Sequence, residues 1–269
     1  MAVDAGATPA AAESGRMTLV EHLGELRGRL LKSVVALALG MVVGFALYGP
    51  VLDRLTEPYC DVKADQLDRS EEDVEATDAT EAGGSGCDLV VTDPLESFST
   101  RLKLSTYIGL FLASPVVLWQ IWRFITPGLY PREKRYAIPF VLSSILLFAL
   151  GATMALYAFP KTLEFFAAFG GEDLQLLYTP GKYLGLLTFM MLAFGLAFEF
   201  PVVLTCLQVA GVLSWRRLAS WRRYAIVVIF VADAIITPSG DPVTLLAMAL
   251  PMYLFYEISI LIGRFVLKR

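Results

Sequence analysis

Histidine occurs once, at His22, and the three cysteines, Cys60, Cys87 and Cys206, lie far apart in a chain of 269 residues. That scarcity leaves no ligand set for a zinc cluster and no Cys-His pair for nucleophilic catalysis. Neither an HExxH pattern nor an aspartate-rich run is present to hold a metal, so no metal, cofactor or enzymatic centre is expected. Nothing resembles a nucleotide or nucleic-acid site, and the two halves show no internal repeat. Residues 1–16, MAVDAGATPAAAESGR, lack the basic start and apolar middle of a signal peptide, and their composition predicts a loose tail. Charge is scarce as well. With 18% charged and 56% hydrophobic residues and a mean hydropathy of +0.61, the chain holds more apolar side chain than a soluble domain buries, which makes it a membrane protein.

Apolar runs at about 30–48, 104–125, 137–159, 183–213, 224–237 and 243–261 predict an all-α integral membrane protein with six transmembrane helices. The run 183–213 exceeds one bilayer thickness and must tilt or bend, with Pro201 as the expected bend because it removes a backbone donor. The run 224–237 is short enough to be re-entrant. Charge placement favours a crossing: Arg16, Arg27, Arg29, Lys32, Arg132, Lys134, Arg135, Arg216, Arg217, Arg222, Arg223, Arg264, Lys268 and Arg269 then share one side, the cytoplasmic one, with both termini. The opposite side carries an acidic insertion at 61–87 in the first outer loop. The expected organisation is a tail (1–16), a six-helix membrane domain (17–265), whose last two spans are short, and a cytoplasmic end (266–269).

The segment MTLVEHLGELRGRLLKS opens with Thr18 and Glu21 at capping-box spacing and aligns Leu19, Leu23, Leu26 and Leu30, so it is expected to lie along the inner membrane surface. On its polar face Glu25 can pair with Arg29 at i, i+4. In SPVVLWQIWRFITPGLYPREKRY, Pro127-Gly128 makes a turn, Pro131 suits a first helical position, and Glu133 falls in the following first turn, where a helix dipole stabilises it. Trp119 and Trp122 read as interfacial anchors. Glu199 is an acid inside an apolar run, a placement that costs about 2.5–3.5 kcal/mol for Asp at a bilayer centre, so it is expected to face a partner or water, or to stay protonated. Asp233 is expected near water or bonded within its hairpin, and Glu257 toward the inner interface. Cys60 and Cys87 bracket the acidic insertion on the outer side, and a disulfide there would contribute about 3 kcal/mol.

HLGELRGRL, SPVVLWQIWRFITPGLYPREKR, FGLAFEFPVVL, TPSGDP and ALPMYLFYEI, in that order, resemble the TatC family, the core receptor subunit of the twin-arginine protein translocase. The resemblance covers roughly residues 17–265. It implies a multi-pass protein of a prokaryotic cytoplasmic membrane, with no enzymatic activity, driven by the proton gradient and self-associating in a receptor complex. Its cytoplasmic face would dock the paired arginines of signal peptides on folded cargo, with Glu25 and Glu133 as acceptors and Arg27, Gln120 and Phe124 shaping the surface. A guanidinium presents a planar fork that a carboxylate accepts through two hydrogen bonds, which a lysine cannot match. Arg132, Lys134 and Arg135 flank Glu133 and are expected to face lipid phosphates.

The same resemblance implies a concave groove in the membrane, where Glu199 and Pro201 meet the single-span partners TatA and TatB. An internal bond within the helix is the other reading of Glu199. Pro58 matches the proline of the first outer loop and Asp241 the acid of the last outer turn. The rival class is a proton-coupled secondary transporter with Glu199, Asp233 and Glu257 as a relay.

Overall fold

The computed structural model describes residues 19–71, 91, 93–125, 137–170, 178–237 and 240–267. These residues are helical almost throughout, and no strand occurs among them. The order is α1 (Leu19–Ala46), α2 (Tyr48–Glu71), α3 (Pro94–Ile125), α4 (Ala137–Gly170), α5 (Pro180–Ala197), α6 (Phe200–Val209), α7 (Trp215–Ser220), α8 (Arg222–Ile236) and α9 (Pro242–Ile262), with a closing π-helical turn at Gly263–Leu267. In hydrocarbon every backbone group needs an internal partner, and continuous helices supply it.

Among the described residues, five stretches are long and apolar enough to cross a membrane: Gly24–Ala46, Pro94–Phe124, Ile138–Phe169, Pro180–Val209 and Pro242–Leu267. The expected fifth crossing is not among them. It falls on α8, whose 15 residues reach only about 22 Å, against roughly 30 Å of hydrocarbon. Two other expectations are corrected, while the crossing by α8 is neither met nor excluded by its length. The amphipathic opening segment is no separate surface helix, because α1 runs unbroken from Leu19 to Ala46 with neither proline nor turn to part it from the first span. The first outer loop is helical through Glu71, so Pro58 and the start of the acidic insertion lie in α2.

The long run does bend where a proline stands. The chain turns at Phe198 and Glu199, and Pro201 opens α6, a position where its missing N–H leaves no bond unmade.

Helices in lipid associate through close packing rather than hydrophobicity, so small residues mark the contacts. A Cβ at Gly40 would lie 2.5 Å from the Gly109 carbonyl oxygen, and one at Gly109 would lie 2.5 Å from the Met41 nitrogen. Gly44 faces the Ser105 carbonyl equally closely, which makes the α1–α3 contact antiparallel, backbone on backbone. Gly151 does the same for α4 against α5. The tightest core surrounds Phe159, Tyr183, Leu187, Met190, Phe194 and Phe198, with Met248, Met252 and Tyr256 from α9. In the α5–α6 stretch 56% of the span window is buried against 6% in α1, so α5–α6 is the central strut and α1 a peripheral helix held chiefly by α3.

Candidate functional site

The glycine contact fixes the register of α1 and α3. Glu25 lies 15 residues before Gly40 and Phe124 lies 15 residues after Gly109, about 22 Å along each axis. Antiparallel packing therefore sets Glu25 level with Phe124 and Arg29 level with Gln120. Glu25 is partly buried and paired with Arg29, which reaches Oε1 through Nη2 and, at 3.2 Å, through Nε. Arg27 is exposed, and Gln120 and Phe124 are half-buried. Glu133 lies outside the described residues. One end of the α1–α3 pair thus gathers a carboxylate, two guanidiniums, an amide and an aromatic ring.

Deeper in, α3 meets α4 through Trp122, whose ring stacks on Phe140 at 5.2 Å. Its indole Nε1 donates to the Ser144 hydroxyl at 2.6 Å. Trp122 is therefore a buried strut and not the interfacial anchor that was expected; Trp119, 42% exposed, does face outward. Ser144 has no exposed surface and also comes within reach of Glu199, although Glu199 Oε1 makes no hydrogen bond. The carboxylate is half-buried at the break between α5 and α6, and Pro201 beside it is buried. An acceptor with open capacity lies next to a hydroxyl, in a place where an added donor would be satisfied at little cost.

The α8–α9 hairpin separates the remaining acids. Arg222 grips Glu257 with both arms of its fork, Nε to Oε1 and Nη2 to Oε2, each at 2.8 Å, and the Tyr253 hydroxyl adds a bond at 3.1 Å. Asp233 contradicts its expectation. It is neither near water nor bonded, having no exposed surface and no partner on either oxygen. Asp241 acts structurally as the N-cap of α9, accepting from the Thr244 nitrogen at 2.7 Å. Two polar residues escaped the sequence reading. Gln208 is buried in α6 and donates through Nε2 to the Ser259 carbonyl at 2.9 Å, and only a glycine at 263 leaves room for its Oε1. Ser259 in turn donates to the Phe255 carbonyl at 2.9 Å.

At the far end, the Tyr183 hydroxyl donates to the Leu55 carbonyl at 2.9 Å, tying α2 to α5. Tyr59 and Tyr178 pack on it edge to face or tilted, with centroids 5.5 and 6.5 Å away. Burial pushes both the Tyr59 and the Tyr178 phenols above their ordinary range. Glu96 of α3 accepts from the Gly181 nitrogen at 3.2 Å, closing one orphan donor at the start of α5. Cys60 is disulfide-bonded and Cys206 is a free buried thiol; Cys87, the expected partner of Cys60, lies outside the described residues. No group of metal-ligating residues occurs among the described residues.

Residues 21–251 match the family model described as the Sec-independent protein translocase protein TatC. Among curated proteins, the chain is 40% identical to a Sec-independent protein translocase protein TatC of Frankia casuarinae, over 93% of its own length and 66% of that protein. It is 36% identical to the TatC of Desulforapulum autotrophicum, covering 94% of this chain and 86% of that one. With the Aquifex aeolicus TatC it shares 40% identity over 94% and 97% of the respective lengths. A crystal structure of the twin-arginine translocase receptor TatC in DDM superposes with a TM-score of 0.68 at 39% identity, over 90% of this chain and 99% of that one.

Proposed function

This chain belongs to the TatC family of Sec-independent protein translocase proteins, and on that premise we propose that its inner face receives the paired arginines of a signal peptide. It is a multi-pass membrane component of a protein translocase, and that family is not one of enzymes. Glu25 and Glu133 serve as the two acceptors, and Arg27, Gln120 and Phe124 border them. The observation that carries this reading is the α1–α3 register, which sets Glu25 level with Phe124 and hence beside the chain that leads on to Glu133. Arg29 occupies Glu25 in the meantime, so an incoming guanidinium replaces one already there. At an intermediate dielectric such a contact is worth up to ~4 kcal/mol before desolvation, against well under ~1 kcal/mol for an exposed pair. Partial burial of Glu25 is what gives it an advantage.

The finer topology follows from charge. Both termini lie in the cytoplasm, and α8 makes the fifth of six crossings, in a bilayer thinned around it or behind neighbouring helices. The membrane is a prokaryotic cytoplasmic one, the energy source is the proton gradient, and the chain self-associates in the receptor complex. Glu199 and Pro201 line the groove against which single-span partners of the TatA and TatB kind pack, supported by the open acceptor beside Ser144. Pro58 and Asp241 shape the outer face. A proton-coupled carrier is not favoured: Glu257 is held by Arg222, and Asp233 lies 11 residues up the hairpin, about 16 Å from that clasp.

The test uses a photo-activated cross-linker at position 133. Capture of an Arg-Arg peptide but not of its Lys-Lys twin is expected; equal capture would reduce the site to general charge attraction.

A further inference from the structure

Asp233 has no exposed surface and neither carboxylate oxygen has a hydrogen-bond partner. Ionisation is disfavoured in that state, because burial without a partner drives such groups toward the neutral form. No countercharge stands nearby among the described residues. On α8 the cations are Arg222, committed to Glu257, and Arg223, which lies over the Tyr224 ring at 5.1 Å. Both precede Asp233 by at least 10 residues, about 15 Å along the helix. From α7 come Arg216, over Trp215, and Arg217, at the same far end as Arg222. On α9 the stretch PVTLLAMALPM between Asp241 and Tyr253 holds no titratable side chain, and Asp241 is occupied with Thr244.

A second orphan lies one turn later, at the C-cap of α8. Thr237 is 5% exposed and its Oγ1 also lacks a partner. Side chains four apart on a helix are neighbours. A neutral carboxylic acid has an O–H donor that an ionised one lacks. The hydroxyl oxygen of Thr237 can take it, directly or through one water, and a single proton then resolves both orphans.

We propose that Asp233 is a proton-binding site inside the α8–α9 hairpin, occupied while the hairpin is closed and emptied only when α8 parts from α9. The Arg222–Glu257 clasp holds the hairpin at one end. Asp233 lies three residues from the other, where α8 ends at Ile236, so release begins at the end of α8 away from the clasp. The docking reading plays no part in this inference; the orientation proposed above decides only that this end faces outside.

The full-length protein in detergent is compared with Asp233→Asn by infrared spectroscopy. At pH 5 the wild type is expected to show a protonated-carboxyl C=O band that the variant lacks, and Thr237→Val should shift that band. Alkaline conditions should remove it together with hydrogen-exchange protection across 222–236. A wild-type spectrum with only carboxylate bands at pH 5 overturns the proposal, as does loss of the band with protection unchanged. Should Asp233→Asn not fold, 13C-labelled aspartate in the wild type and in Thr237→Val decides: a protonated-carboxyl band that moves with the label and shifts in Thr237→Val supports the site, and a band that does neither overturns it.

Discussion

Gly40 offers the sharpest test of how the α1–α3 packing sets the level of Glu25. Gly40→Ala adds one methyl that would meet the Gly109 carbonyl oxygen at 2.5 Å, whereas ordinary contact begins at 3.4 Å. The obstacle is backbone on both sides, so no rotamer relieves it, and the helices must separate by about the difference. Overpacking of this kind costs about 1–3 kcal/mol. Helix propensity works the other way, by roughly 1 kcal/mol in favour of alanine, so a net loss of ~0–2 kcal/mol is expected. Gly28→Ala on the same helix is the control, since nothing lies within 4 Å of its added Cβ; it should match or exceed the wild type.

Thermal unfolding of the full-length protein in detergent reads the stability. A disulfide trapped between Arg29→Cys and Gln120→Cys reads the geometry at the Glu25 end, since the same register sets these two positions level. The expected pattern is a lower midpoint and slower trapping for Gly40→Ala, with neither for Gly28→Ala. Equal behaviour of the two variants would refute the claim that this contact sets the level of Glu25 against Phe124.

Trp122→Phe keeps the stacking on Phe140 but removes the indole donor to Ser144; a loss of about 1 kcal/mol is expected, and Ser144→Ala should cost less in the Trp122→Phe background than in the wild type, as a double-mutant cycle by thermal unfolding would show. Arg29→Gln releases Glu25 from its ion pair, so an Arg-Arg signal peptide should bind several-fold more tightly in a titration; weaker binding would mean that Arg29 positions Glu25 and does not compete for it. Burial raises Tyr59 and Tyr178, so as pH passes about 10 the unfolded chain loses phenolic protons that the folded chain keeps. Stability should therefore be fully present below that pH and fall above it, and Tyr59→Phe should flatten part of the fall in an alkaline unfolding series.

Much of the scaffold was legible because lipid imposes one period and one length on every crossing: the apolar runs, the bend before Pro201 and the Glu25–Arg29 pair all depend on residues within a helical turn or two of each other. What escaped depends on which face of one helix meets which face of another. Trp122 reads the same in sequence whether it floats at an interface or donates to Ser144, and only the packing of α3 on α4 decides. Arg222 and Glu257 are 35 residues apart, Gln208 and Ser259 are 51 apart, and no local spacing links either pair. Gly40, Gly44 and Gly109 could have been found, since small residues four apart in an apolar helix signal close approach. Asp233 is the inverse case. An acid in an apolar run invites the guess that a partner or water awaits it, because nearly every buried charge has one; the guess fails once the facing stretch of α9 proves apolar. A carboxyl that the fold surrounds and does not pair is neutral when it holds its own proton, and the proposal made for Asp233 ties that proton to closure of the hairpin.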